Sequence, residues 1–119
     1  MSVESILLAA LRASPDLDAA VIRPSKVEQT DLPPYVIYQK TSGVRIADLS
    51  GETGLSNPQF QIDCYAATLG QATALRDAVR KVLLAEPALR AVHVNESSSY
   101  EESVKLFREL QEFSFWFQC

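Results

Sequence analysis

Residues 57–66, Asn-Pro-Gln-Phe-Gln-Ile-Asp-Cys-Tyr-Ala, alternate apolar and polar side chains. The two sets are Phe60, Ile62, Cys64 and Ala66 on one side, and Gln59, Gln61, Asp63 and Tyr65 on the other. Successive side chains of a β-strand point to opposite faces of its sheet. The segment therefore predicts a strand with one buried face and one polar face, so the chain must build a sheet that is covered on one side.

The segment after this strand has the pattern of an amphipathic helix that supplies the cover. Apolar residues recur at helical spacing over residues 69–85, and they are Ala72, Leu75, Val79, Val82 and Leu83. Thr68 and Gln71 form a capping-box pattern at its start, and Pro87 follows its end. The charged residues lie away from the apolar stripe, and they are Arg76, Asp77, Arg80 and Lys81. We expect these residues to pack together: Leu75, Val79 and Val82 of the helix with Phe60, Ile62 and Cys64 of the strand.

Further elements surround this pair. Val3, Ile6, Leu7, Ala10 and Leu11 give helical spacing over residues 2–13, with Ser2 as a plausible N-cap. Additional strands are predicted at residues 19–23, 35–41, 89–96 and 104–119.

Two of these strands are ambiguous in detail. In the strand at residues 89–96 the candidates for the buried face are Leu89, Ala91 and either Val92 or Val94. Ser97–Ser99 after it are expected to be a loop. In the C-terminal strand the alternation changes phase between Leu106 and Phe113, which predicts a bulge or turn near residues 109–112. Phe113, Phe115 and Phe117 alternate, so a core-facing strand is favoured over a stacking platform for single-stranded nucleic acid.

Together these elements predict an α+β fold in a single domain of residues 1–119. The expected architecture is a twisted, mainly antiparallel sheet with an N-terminal helix and one long helix packed on one face.

Residues 42–56 lie between two predicted strands and contain Gly43, Gly51 and Gly54. A connection of this length exceeds what a tight hairpin needs, and long loops on rigid scaffolds often make contacts. The alternative is a solvated loop tip without a role.

The sequence lacks the residue sets that chemistry requires. It has one histidine, His93, which cannot build a multi-histidine metal site, and its two cysteines, Cys64 and Cys119, are far apart. A Cys64–His93 dyad is conceivable, but the strand pattern buries Cys64 and makes it inert. Catalytic sequence motifs such as GxSxG, Walker A or GxGxxG do not occur. We expect no enzymatic activity, no cofactor and no metal.

Charge and cysteine usage exclude further classes. The net charge of −4 is opposite to that of a protein that binds nucleic acid by its phosphates. Two free thiols suggest a reducing compartment, no basic signal-peptide n-region is visible, and the apolar run of residues 6–11 is too short to span a membrane.

An ordered set of short motifs runs along nearly the whole chain. The motifs are Leu32-Pro-Pro-Tyr-Val-Ile-Tyr38, Phe60-Gln-Ile-Asp-Cys-Tyr-Ala66, an alanine-rich helix from Gln71 to Leu84, Tyr100-Glu-Glu102, Leu106-Phe-Arg108 and Glu112-Phe-Ser-Phe-Trp116. This set resembles the tail-completion, or tail-terminator, proteins of long-tailed bacteriophages. Family members show "Pro-Tyr-(aliphatic)-Val-Tyr", "(aromatic)-Gln-Ile-Asp-(x)-Tyr-Ala" and a terminal "Asp-Phe-Ser-(x)-Trp". Glu112 stands where aspartate is common, which preserves the charge.

The resemblance implies a structural role in the virion, at the head–tail junction, after assembly in the host cytoplasm. Such proteins form a ring, commonly a hexamer, on the head-proximal end of the tail tube. The ring ends tail polymerisation and presents a surface to the head connector, and DNA passes through its lumen without specific binding. The alternative is another head–tail connector (a stopper) or a minor tail-tube protein.

A ring needs a heterologous interface in which two different patches meet. Within residues 42–56 apolar residues are spaced among polar ones, and charged residues beside them would add complementarity. The candidate contacts with a neighbouring subunit or with the tail tube are Val44, Arg45, Ile46, Asp48, Leu49 and Leu55.

Overall fold

The computed structural model describes residues 3–18, 20–25, 32–48 and 51–118, and for residues 42–48, 51–55 and 118 the description concerns the backbone alone. In chain order the elements are α1 (Val3–Ala13), a short 3-10 helix (Pro15–Leu17), β1 (Val21–Pro24), β2 (Tyr35–Asp48), β3 (Gly51–Ala66), α2 (Leu69–Ala85), β4 (Val92–Glu101), β5 (Leu106–Ser114) and β6 (Phe117–Gln118).

The strands form one sheet in the order β1-β2-β3-β5-β4, and β6 pairs with β3 beyond the end of β5. β1 runs parallel to β2, and every other pairing is antiparallel. The predicted α+β class with a mainly antiparallel sheet is therefore confirmed.

Both helices cover one face of this sheet, which we call the helix face. Its core contains Phe60, Ile62 and Cys64 of β3, each at most 1% exposed, in one cluster with residues of both helices. The register of β3 follows the predicted alternation, because Ile62 lies in the core. We call the opposite side, which carries Gln61 and Tyr65, the open face.

The α2 helix begins as predicted, since the Thr68 hydroxyl accepts a hydrogen bond from the backbone N–H of Gln71 at 3.2 Å. Leu75 and Val79 are buried in the core cluster. Val82 was expected beside them but is only half-buried, because it turns toward α1. In α1 the buried residues are Val3, Leu7 and Leu11, while the proposed cap Ser2 lies outside the described residues.

Several predicted boundaries are wrong. The strand placed at residues 89–96 is observed at Val92–Glu101, so Ser97–Ser99 lie in a strand and not in a loop. Leu89 is buried, but it lies before the strand, and Val92 and Val94 are exposed. β4 is an edge strand whose backbone pairs with β5, so an apolar pattern is not needed to hold it.

The bulge predicted near residues 109–112 is also absent, because β5 pairs with β3 in unbroken register from Phe107 to Ser114. The change of phase has another cause. Leu106 lies on the open face opposite Glu101, whereas Phe113 lies on the helix face. Two buried polar residues, Glu109 and Gln111, occupy helix-face positions between them and conceal the alternation.

Candidate functional site

The segment predicted to be a 15-residue loop is instead the end of a long β-hairpin. Strands β2 and β3 pair as far as Asp48 and Gly51, with irregularities after Lys40 and after Arg45. Hydrogen bonding between the two arms satisfies the backbone groups that a loop would leave to water, which outweighs the low strand propensity of the glycines. We call residues 42–48 and 51–55 the ribbon.

The structure places the predicted interface residues along this ribbon. Val44, Arg45, Ile46 and Asp48 belong to β2, and Leu55 belongs to β3. Leu49 lies outside the described residues. Register brings Val44 opposite Asn57 and Arg45 opposite Ser56, while Leu55 pairs with Gln118 of β6. The five described residues therefore belong to one structural unit, and the assignment of a contact role to all six stays a prediction.

The ribbon gives the molecule its elongated form. The principal axes measure 52 × 26 × 24 Å, and the radius of gyration is 15.1 Å, against about 13.5 Å for a compact chain of this length. The 16-residue strand β3 alone spans about 50 Å at a rise of about 3.3 Å per residue. Among the described residues, no strand other than β2 pairs with Gly51–Gly54. A two-stranded ribbon on its own is marginally stable in water, so contact with a partner would stabilise this part of the molecule.

The base of the ribbon is fixed by hydrogen bonds to the C-terminal segment. The Asn57 side-chain amide donates to Ser114 Oγ and to the carbonyl of Phe115, both at 2.7 Å. The Ser56 hydroxyl donates to the carbonyl of Phe117 at 3.3 Å. Sequence reasoning did not find these contacts, because the partners are nearly sixty residues apart and carry no local pattern.

A buried polar cluster lies where α2 crosses the sheet. The carboxylate of Glu109, 1% exposed, accepts hydrogen bonds from Arg76 Nη1 at 3.3 Å, Ser98 Oγ at 2.5 Å and Thr73 Oγ1 at 3.5 Å. Gln111 Nε2 donates to the backbone carbonyl of Arg76 at 3.1 Å. The cluster fixes α2 to β5, and each polar group but the oxygen Gln111 Oε1 has a partner.

Several carboxylates stabilise the positive charge of Arg76 in this cluster. Its guanidinium also lies 3.2 Å from Asp77 Oδ1 and 3.4 Å from Glu96 Oε2. Partial burial opposes the charge, but the carboxylates of Asp77, Glu96 and Glu109 outweigh that effect and raise the pKa of Arg76. The prediction that Arg76 lies away from the apolar stripe did not anticipate its contact with the buried Glu109.

A second charged group lies on the open face. Arg108 contacts Asp63 Oδ2 at 3.1 Å and Glu101 Oε1 at 3.2 Å, and Gln61 Nε2 donates to Asp63 at 3.1 Å. Asp63 lies on the polar face of β3, as predicted, but it is only 5% exposed because Arg108 and its neighbours cover it. This group joins β3, β5 and β4 on the open face.

Nothing in these clusters resembles a catalytic constellation. Cys64 is fully buried, and burial raises the pKa of its thiol, so the reactive thiolate is suppressed. His93 of β4 lies level with Phe60 of β3, which is four residues from Cys64. His93 and Cys64 are also two strands apart, so these two side chains do not form a dyad. The His93 ring packs edge-on against Phe113 at 5.2 Å. Within the described ranges no group of acidic, histidine and cysteine residues could hold a metal.

A surface groove between the two helices also fails to suggest a ligand site. A groove of about 450 Å³ between α1 and α2 is lined by Ala10, Val82 and Ala85, with Lys81 and Glu86 at its rim. It is open and lacks the convergent polar groups of a specific pocket. The described part of the chain contains no helix that is both long and apolar enough for a membrane span.

Comparison with known proteins identifies the family of this chain. The chain has the same fold as a chain in the solved structure titled "Virion of native gene transfer agent (GTA) particle", with a TM-score of 0.79 at 17% identity over 99% of this chain and 96% of that one. No curated protein sequence matches. A family model described as "Tail completion protein gp17" matches residues 5–118. The chain therefore belongs to the tail completion protein gp17 family.

Proposed function

We propose that this protein caps the head-proximal end of a phage tail tube as a ring, ends tail polymerisation and provides the surface to which the head attaches. Family membership over residues 5–118 is the observation that carries the proposal, and it supports a structural role in a phage tail. The shared fold with a chain of a gene transfer agent virion is consistent with that role. The family resemblance noted in the sequence suggests a hexamer, whose partners would be the tail-tube protein and the head connector.

The shape of the molecule suits such a role. An elongated sheet carries a two-stranded ribbon at one end, and a ribbon of this kind gains stability when a partner covers it. The net charge of −4 suits a lumen through which DNA passes without adhering. We expect the protein to act through contacts and not through catalysis.

The proposal is tested with purified protein and polymerising tail-tube protein. Addition before polymerisation is complete should stop growth and leave a ring at one end of each tube, visible by electron microscopy. If tube lengths do not change and no density is added at an end, the capping role is refuted. Binding along the tube wall, or to head connectors without tubes, would favour the alternatives of a minor tail-tube protein or a stopper.

The contact role of the ribbon is tested by shortening it. Replacing residues 44–54 by a Gly-Ser linker leaves the pairing of Leu55 and Ser56 with β6 in place, so the domain should fold while capping fails. A matched variant keeps the ribbon length and changes Val44, Ile46 and Leu49 to threonine. Loss of capping in both variants assigns the contact to the apolar side chains, and normal capping by the shortened protein refutes the assignment.

A further inference from the structure

The ribbon leaves the sheet at the point where β3 loses its neighbour β5. In the described part of the chain the pairing of β3 with β5 stops at Gln59 and Ser114. The next residue of β3 toward the ribbon, Pro58, has no backbone N–H to donate to a neighbouring strand. Contacts other than β3–β5 pairing therefore support β3 at the base of the ribbon.

The C-terminal segment, which we define as residues 115–118, supplies these contacts. The backbone N–H of Phe115 donates to the carbonyl of Pro58 at 2.9 Å. The side-chain amide of Asn57 has two hydrogens to donate, and it bonds both Ser114 Oγ and the carbonyl of Phe115 at 2.7 Å. A side chain thus replaces the strand pairing that has ended one residue earlier.

The contacts continue for two more residues toward the ribbon. The Ser56 hydroxyl donates to the carbonyl of Phe117 at 3.3 Å, and the backbone of β6 pairs with Leu55 and Ser56. Four successive residues of β3, 55–58, therefore contact the C-terminal segment or the residue before it.

The C-terminal segment is itself fixed in the core. Phe115 is fully buried, and its ring lies 5.4 Å from that of Phe60. Phe117 packs against the same core cluster, and the backbone N–H of Trp116 donates to the carbonyl of Leu89 at 2.9 Å. A segment held in this way is a rigid support for the strand that it contacts.

The other arm of the ribbon has no equivalent support among the described residues. In β2 the pairing with β3 becomes irregular after Lys40, and such an irregularity bends a strand and increases its twist. The direction in which the ribbon leaves the domain thus depends on the β3 arm, and there on the contacts of Asn57.

We propose that the C-terminal segment sets the direction of the ribbon, and that Asn57 is the positioning residue through which it does so. This inference rests on the proposed contact role of the ribbon, because a ribbon that points elsewhere presents the same residues in the wrong place. Without the amide, the ribbon samples several directions, and only a fraction of the molecules is ready to bind.

The direction of the ribbon is measured on the protein alone. Spin labels are placed at Ala47→Cys in the ribbon and at Lys81→Cys on the exposed side of α2 in a Cys119→Ser background, where Cys64 is buried. Double electron–electron resonance should give one narrow distance distribution. Asn57→Ala should broaden this distribution.

Two further variants show whether the effect is specific. Ser114→Ala removes one of the two acceptors and should broaden the distribution less than Asn57→Ala does. Thr68→Ala removes the N-cap of α2, which follows the opposite end of β3, and should leave the distribution narrow. Equal widths in the unchanged protein and in Asn57→Ala overturn the inference.

Capping of tail tubes measures the consequence. Loss of two hydrogen bonds shifts a conformational equilibrium by about tenfold or more, and apparent affinity falls with the fraction of binding-competent molecules. Asn57→Ala should therefore raise the concentration needed for half-maximal capping by about tenfold with an unchanged circular dichroism spectrum. Thr68→Ala should cap like the unchanged protein, and an equal loss in both variants would assign the effect to general destabilisation and overturn the inference.

A disulfide should replace the missing amide. Leu55 and Gln118 are directly paired between β3 and β6, and Cα atoms of such pairs lie about 4.5–5.5 Å apart, within disulfide range. In Asn57→Ala with Leu55→Cys, Gln118→Cys and Cys119→Ser, oxidation should restore capping relative to the reduced form of the same variant. Equal capping by both forms contradicts the inference, and failure of the bond to form, checked by mass spectrometry, contradicts the pairing on which it rests.

These outcomes separate the inference from the proposed function. If the unchanged protein does not cap tubes, the proposed function fails, while the distance distributions still decide whether Asn57 sets the direction of the ribbon. If the unchanged protein and Asn57→Ala cap equally well, the positioning role is wrong and the capping role stands.

Discussion

Replacing Arg76 by methionine removes the cation that faces the buried carboxylate of Glu109 at 3.3 Å, while Ser98 and Thr73 stay in place. Glu109 is 1% exposed and has no access to water as a substitute. Breaking a buried pair in this way costs about 3–5 kcal/mol. We therefore expect Arg76→Met to lower the free energy of unfolding by that amount.

The converse change should cost less. In Glu109→Gln the amide keeps the shape of the side chain and the bonds to Ser98 and Thr73, and Arg76 retains Asp77, Glu96 and 20% exposure to solvent. The loss is then one charge-assisted hydrogen bond, about 1.5–3 kcal/mol. The asymmetry between the two variants follows from the difference in burial of the two partners.

The double variant Arg76→Met/Glu109→Met completes the test. Apolar replacement of both partners leaves no orphaned charge, so it should be more stable than Arg76→Met alone by about 2 kcal/mol. Urea unfolding followed by far-UV circular dichroism gives all three values. If Glu109→Gln destabilises the protein as much as Arg76→Met, or if the double variant is the least stable, the proposed asymmetry of burial is refuted.

Three smaller predictions follow from single contacts. Asn57→Ala should lower the free energy of unfolding by about 1–3 kcal/mol, because it removes two hydrogen bonds at the ribbon base; the control Asn95→Ala, at an exposed site, should change it little. Thr68→Ala should cost about 1 kcal/mol through loss of the α2 cap, and a midpoint in urea equal to that of the unchanged protein would contradict this. Burial raises the pKa of the Cys64 thiol above its unfolded value, so the free energy of unfolding should fall as pH rises past about 8.5. Cys64 should also resist thiol reagents in the native protein while Cys119 reacts, and rapid native labelling of both thiols would disprove the burial of Cys64.

The elements that the sequence predicted well are those in which burial determines the side-chain pattern. The side chains of β3 alternate because one face of the strand packs in the core and the other lies on the open face. The helix α2 follows with an N-cap and an apolar stripe, and the stripe packs on Ile62 and Cys64. In these elements local preference and tertiary packing favour the same structure.

The misplaced elements are those that depend on long-range partners. β4 is held by its pairing with β5, and Ser97–Ser99 have exposed side chains that give no apolar signal. In β5 the buried Glu109 and Gln111 interrupt the apolar pattern and suggested a bulge, because their partners Arg76 and Ser98 lie elsewhere in the chain. The ribbon was missed because its pairing depends on the partner arm and not on its own composition.

The pairing of β3 divides one continuous strand into two zones of backbone protection. From Gln59 to Tyr65 it has neighbours on both sides, β2 and β5, with helices over one face. At the tip of the ribbon Gly51 and Glu52 pair with β2 alone in the described part of the chain. Amide hydrogens of the first zone should exchange with solvent only through opening of the whole domain, and those of the second should exchange by local fraying of the ribbon. Capture of the ribbon by a partner would then appear as slowed deuterium uptake in the second zone with little change in the first.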